Sequence, residues 1–218
     1  MKTYNIELIG TTPLLMHSDD IRWADKMTAW KDDSKNKKLS RAGDDRTPSF
    51  RWIGHAYSDG SHLAMPTENI MVALRDGGAM VPVPGGRSGK TFKAQTQSGM
   101  MADQPFWDLT VGGRQVAMAD ILPLMDEPDF AVHEAAAAKL GFELFIKRAR
   151  VGTQKHIRVR PRFDAWRLTG SLTVTDPQIT PAVLSDILGY AGRLKGIGDW
   201  RPGGKTPGAF GMFTARIS

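Results

Sequence analysis

Polar and apolar residues alternate from Tyr4 to Leu8, and the run Thr3–Ile9 predicts a strand. Gly10-Thr11-Thr12-Pro13 ends it, and Leu14-Leu15-Met16 resumes apolar. Trp23, Met27 and Trp30 fall at i, i+4, i+7, the spacing of a short amphipathic helix. Met65-Pro66-Thr67-Glu68-Asn69 reads as a helix start with Pro66 at the first helical position, where no N–H is needed. Ile70, Ala73 and Leu74 form its buried stripe, and Gly77-Gly78 stops it. Pro82–Gly89 breaks any regular element, and residues 91–128 read as an insertion. Phe142–Val151 predicts a strand. A second lies within Arg158–Thr175, where Trp166, Leu168, Gly170, Leu172 and Val174 alternate with Arg167, Thr169, Ser171 and Thr173. Thr180-Pro181 opens a helix capped by Thr180, with Val183, Ile187, Tyr190 and Leu194 inward and Gly196 at its C-terminal stop. Ala209–Ile217 is the last predicted strand.

The order of elements predicts an α+β fold with a ferredoxin-like β-α-β-β-α-β core and large insertions. Residues 1–218 form one expected domain, with insertions at about 18–62 and 80–140. At 41% hydrophobic residues the chain can bury a core. It holds no cysteine, which excludes disulfides and Cys-based zinc sites and fits a reducing, cytoplasmic compartment. No apolar run reaches membrane-span length, and the N-terminal segment lacks a signal-peptide core. With 29 Lys+Arg against 23 Asp+Glu, the chain is basic enough for a polyanionic partner without requiring one.

That charge is concentrated. Lys147, Arg148, Arg150, Lys155, Arg158, Arg160, Arg162 and Arg167 lie within 21 residues that contain one acid, Asp164. Positions 148 and 150, and then 158, 160 and 162, share parity, so each set lines one strand face at a spacing that suits consecutive phosphates. Gly196 and Gly198 open a loop with five glycines in 13 residues, where Arg201 and Lys205 supply charge and close backbone approach suits a phosphate. Trp200 within it either stacks on a base or packs into the core. Gly85–Thr91 has the wrong glycine spacing for a nucleotide-binding P-loop, with Pro84 where the first glycine belongs. Arg87 and Lys90 there read as a flexible basic clamp. Trp23–Arg41 interleaves two tryptophans with five lysines, suiting either a single strand or a packed face. His17, His55, His62, His133 and His156 show no metal-ligand spacing, and Asp19-Asp20 and Asp44-Asp45 read as solvated pairs. The residues therefore assign no catalytic group, no metal and no cofactor.

Arg160-Pro161-Arg162-Phe163-Asp164-Ala165-Trp166, Gly192–Pro202 and Gly208–Phe213 resemble the RAMP superfamily, specifically Cas7-like proteins. Ile9–His17 and Met65–Asn69 are similar too, and the resemblance covers about half the chain. It implies a modified RRM-like core that binds single-stranded RNA or DNA across its sheet and loops and assembles head to tail as a homo-oligomer. The chain is short for a CRISPR backbone subunit. Gly198-Asp199-Trp200-Arg201-Pro202 looks like the phage or stand-alone branch, and the resemblance implies other CRISPR proteins, or replication or recombination proteins, as partners in a bacterial or phage-infected host cell. The expectation is a sequence-independent single-strand-binding protein rather than an enzyme. Two alternatives stay open: an endoribonuclease acting through His17 or through a metal at Asp19 or Asp20, and a Cas7-mimicking inhibitor.

Overall fold

The computed structural model describes residues 1–39, 43–87 and 89–218. Arg41 and Ser88, each within a segment singled out above, lie outside them. The fold is mixed α+β with antiparallel strand pairing. From the N-terminus run β1 (Lys2–Gly10), β2 (Leu14–Leu15), α1 (Ile21–Asp32), a 3-10 helix (Ser49–His55), β3 (Ala64–Pro66) and α2 (Thr67–Gly78). Next come α3 (Lys93–Ser98), β4 (Met100–Ala102), β5 (Phe106–Val111), α4 (Met118–Ile121), a second 3-10 helix (Leu122–Asp126) and α5 (Phe130–Leu140). The C-terminal part holds β6 (Glu143–Val151), β7 (Gln154–Phe163), β8 (Trp166–Val174), α6 (Pro181–Tyr190) with a π turn at Ala191–Lys195, and β9 (Phe213–Ile217). Among the described residues no helix is long and apolar enough to cross a membrane.

In place of one domain with insertions, the chain divides into two compact units. The first is Met1–Leu15, Ala64–Gln115 and Asp164–Ser218; the second is Met16–Leu63 and Val116–Phe163.

The first unit is built on a sheet of order β3-β5-β8-β1-β9, with β4 also pairing β8. Leu8 faces Leu168, which faces Leu109, so the alternating apolar residues share one face. Ile6, Leu8, Trp107, Leu109, Leu168 and Leu172 are buried there, together with Ile70, Ala73 and Leu74 of α2 and Leu184, Ile187 and Leu188 of α6. The opposite face is polar: Thr3 bonds Thr173 at 2.8 Å, and Glu7 bridges Arg167 at 2.7 Å and Arg216 at 3.3 Å. Those two arginines hold the Glu7 carboxyl below its usual pKa, Arg167 foremost.

Three expectations are corrected in this unit. The segment read as an insertion contributes β5, which pairs with β8 within the main sheet. Trp107, Leu109 and Val111 are buried and alternate with Asp108 and Thr110, a period-2 signal too short to stand out. Pro66 closes β3 rather than opening α2. Finally, α6 turns Leu184, Ile187, Leu188 and Ala191 inward, leaving Leu194 46% exposed beyond the point where the helix widens into its π turn. Thr180 caps α6 as expected, accepting from the Val183 N–H.

The second unit has its own core. Trp52 packs on Phe142 and Phe142 on Phe163, at centroid distances of 5.7 and 5.2 Å. Trp52 Nε1 donates to Nδ1 of the buried His133, whose Nε2 donates to the Glu127 carbonyl, which fixes that ring's tautomer. The helix predicted from Trp23, Met27 and Trp30 is α1; Trp23 lies against Gly54 and Phe50 of the first 3-10 helix. Strands β6 and β7 form a long antiparallel hairpin here, from Glu143↔Arg162 to Val151↔Gln154.

Candidate nucleic-acid interface

The β6–β7 hairpin turns through Gly152-Thr153, and Gly152 supplies the φ of +61° that a two-residue turn demands. Its length and register follow from Leu144, Val159 and Phe163, which anchor one end in the second unit's core. Towards the turn the sequence becomes Lys147-Arg148-Ala149-Arg150, and Lys155 sits across from Arg150. Lys147, Arg148, Arg150 and Lys155 are all exposed, and no acid occurs between Leu144 and Phe163. Four exposed cations clustered at one end of a β-ribbon project a positive field suited to an anionic partner.

The register divides the basic residues differently from a single row. Lys147 pairs with Arg158, while Arg148 pairs with Ile157, so Arg148 and Arg150 occupy the face opposite Arg158, Arg160 and Arg162. The last three do share a face, as their parity predicts, but they are largely spoken for. Arg158 Nη1 donates to Asp45 Oδ1 at 3.0 Å, and Arg160 Nη1 reaches Asp45 Oδ2 at 3.3 Å. Arg160 is 6% exposed and unsuited to contacting a phosphate. Arg162 pairs with Glu143 at 3.5 Å and lies over the Phe145 ring. The expected phosphate row is therefore corrected: the arginines at 158 and 160 brace the hairpin, and its cationic end carries the exposed charge.

Asp45 is the residue that sequence reasoning missed. Its carboxylate is fully buried, and besides Arg158 and Arg160 it meets Arg51 Nε at 3.3 Å and His55 Nε2 at 4.0 Å. Nothing local distinguishes Asp45 from Asp44, which is held by Arg46 at 2.7 Å. Only the bridge of Asp44 to Ile157, beside β7, carries Asp45 under the arginines. Two scattered histidines also meet here: the His17 and His55 rings lie edge to face at 5.0 Å, and Arg160 Nη2 is 3.2 Å from His17 Nε2. Burial, followed by the charges of Arg160 and His17, pushes His55 down to about 3, so it is neutral near pH 7.

The first unit holds the other predicted residues. The glycine-rich loop is tightly self-bonded. Ile197 N–H donates to the Gly211 carbonyl, Gly203 N–H to Lys195, Gly208 N–H to Arg201 and Gly211 N–H to Pro13. Gly196 (φ +64°) and Gly198 (φ +77°) meet backbone conformations that side chains avoid, and a Cβ at Gly198 would strike the Leu15 carbonyl. These glycines thus serve close packing more than phosphate approach. Trp200 is half-buried at φ +48°, 6.4 Å from the Phe210 ring, between the two readings given for it. Arg201 is half-buried and Lys205 exposed. Arg87 and Lys90 are exposed on a turn closed by the Lys90 N–H to Arg87 carbonyl bond, with Val83 donating to Lys90.

Of the acid pairs, Asp20 caps α1 and grips Arg22 at 2.8 Å, an interaction that lowers its pKa. Among the described residues no group of three or more His, Asp or Glu could hold a metal ion. No family model matches the chain, and no curated protein matches it.

Proposed function

We propose that this protein binds the sugar-phosphate backbone of single-stranded nucleic acid, independently of sequence, and that it acts as a binding protein. The observation that carries the reading is the turn end of the β6–β7 ribbon, where Lys147, Arg148, Arg150 and Lys155 are exposed and no acid occurs in the sequence between Leu144 and Phe163. Cations on both faces of a ribbon suit a flexible strand that wraps it better than a flat phosphate row. Arg87, Lys90 and Lys205 offer further exposed charge on the first unit. The strand order β9-β1-β8-β5, with α2 and α6 as its crossover helices, supports a ferredoxin-like, RRM-like reading of that unit. Its order and the Gly196–Gly208 loop also favour the RAMP, Cas7-like resemblance, and with it self-association along the strand. Binding is favoured over metal-dependent cleavage because Asp20 and Asp44 are committed to Arg22 and Arg46.

Fluorescence anisotropy with labelled oligo-dT, oligo-U and a duplex of equal length tests this. Micromolar or tighter binding of single strands at low salt, weaker for the duplex, is the expected result. Duplex preference would assign the ribbon to a groove instead, and absence of micromolar binding to any of the three would end the reading.

A further inference from the structure

The two ends of the first unit's sheet differ. At one end β3 is three residues long and finishes on Pro66, a common way of blunting an edge. At the other end β9, Phe213-Thr214-Ala215-Arg216-Ile217, holds no proline, and its one charge, Arg216, is drawn to Glu7 on the polar face. Asn5 and Ser218 exchange both backbone hydrogen bonds, so Arg216 and Thr214 also bond towards β1, and Ala215 and Ile217 turn their N–H and C=O groups outward. Those outward groups meet no hydrogen-bond partner among the described residues. Along this edge a cavity of about 220 Å³ separates β9 from α6, lined by Ser185, Leu188, Gly189, Arg193 and the strand itself. Arg193 is exposed, and no carboxylate lies within salt-bridge reach of it among the described residues. Asp186 precedes it by seven residues, about two helical turns, on the same side of the helix, exposed and equally without an ion pair among the described residues.

We propose that β9 and α6 form the interface of a two-fold homodimer, in which β9 pairs antiparallel with β9 of a second copy. Centred on Ala215, the pairing lets the two Ala215 residues exchange N–H···O=C bonds and sets Arg216 across from Thr214 of the other copy. Centring it on Arg216 would instead bring two like charges face to face. The same axis runs the two α6 helices antiparallel past each other, where the small residues Ser185 and Gly189 leave room for close approach. The axis passes close to Gly189, midway between Asp186 and Arg193, so the contact contains two Asp186–Arg193 ion pairs, one on each side. A second copy thus supplies both the backbone partners and the countercharges that one copy lacks. The contact is isologous and closes at two copies, so it is distinct from head-to-tail growth along a strand and stands apart from the nucleic-acid reading.

Sedimentation velocity on the full chain, free of nucleic acid, should show a monomer–dimer equilibrium at micromolar concentration. Arg193→Glu, at an exposed position, should weaken dimerisation about tenfold, through loss of two exposed ion pairs and the repulsion that replaces them. The double variant Asp186→Arg, Arg193→Glu should restore the wild-type constant, since the exchanged charges complement one another again. The chain has no cysteine, so oxidation of Ala215→Cys should give a covalent dimer, its two Cα atoms about 5.5 Å apart. Thr214→Cys, whose copies would lie more than about 7 Å apart, should cross-link poorly. A monomer throughout the micromolar range, or a dimer that Arg193→Glu leaves unchanged, overturns the proposal. So does failure of the double variant to restore the dimer, or equal cross-linking of the two cysteine variants. None of these outcomes bears on single-strand binding, which the anisotropy measurement decides separately.

Discussion

At the scale of single residues, Asp45 and its neighbours govern stability. Removing a carboxylate that is 0% exposed and meets three guanidiniums leaves positive charges facing one another without compensation. Asp45→Asn should lower unfolding free energy by about 3–5 kcal/mol, measured by urea denaturation. His55 supplies a pH signature. Its imidazole sits near 6.5 when unfolded and about 3 in the fold, so acidification loads a proton onto the unfolded chain first. Stability from this group is complete above pH 6.5 and falls as pH drops towards 3, by about 1.4 kcal/mol per pH unit for a single proton. Carboxylates add to the loss only near and below pH 4.5. Melting curves between pH 7 and 5 should therefore decline for the wild type and flatten in His55→Gln. None of this was legible in the sequence. Asp44-Asp45 reads as a solvated pair and the histidines as scattered, because the contacts joining Asp45 to Arg158, or His17 to Arg160, span more than a hundred residues.

At the scale of elements, alternation carried far when the strand was long. The strands β1, β8 and β6 and the capped start of α6 stand where Tyr4–Leu8, Trp166–Val174, Phe142–Val151 and Thr180 indicated. What alternation could not supply was the partner. It shows that residues 143–151 form a strand, but not that Leu144, Val159 and Phe163 are buried in a separate core where Phe142 packs on both Trp52 and Phe163. The inward face of α6 was misjudged for a related reason. Leu184, Leu188 and Ala191 compete with Val183, Tyr190 and Leu194 for the same helical period, and packing decides. In the glycine-rich loop the composition was legible and its purpose was not. A Cβ at Gly211 would fall onto the Ile197 carbonyl at a φ of +69°, and one at Gly208 onto the Trp200 carbonyl. Gly211→Ala should cost about 3 kcal/mol, from strain and steric displacement together. Gly85→Ala, at φ +67° with nothing near its Cβ, should cost only about 1 kcal/mol by the same denaturation measurement.

At the scale of the molecule, basic residues serve two ends. Arg158 and Arg160 are consumed in holding the hairpin to Asp45, whereas Lys147, Arg148, Arg150 and Lys155 remain in solvent. The sequence displayed both groups as one dense run, since charge density does not reveal which guanidiniums meet a buried acid. A chain that coats a strand should also elute earlier from gel filtration with a 40-mer oligonucleotide than the two components do separately. The central claim, backbone binding through the exposed end of the hairpin, is tested most directly by the salt dependence of oligo-dT affinity. Each neutralised phosphate contributes about −0.7 to the slope of log K against log salt, so the four exposed hairpin cations predict about −3. The triple substitution Arg148→Gln, Arg150→Gln, Lys155→Gln should shrink that slope by about 2 while the melting temperature holds. A slope near zero in the wild type, or one that the triple variant leaves unchanged, would contradict the account.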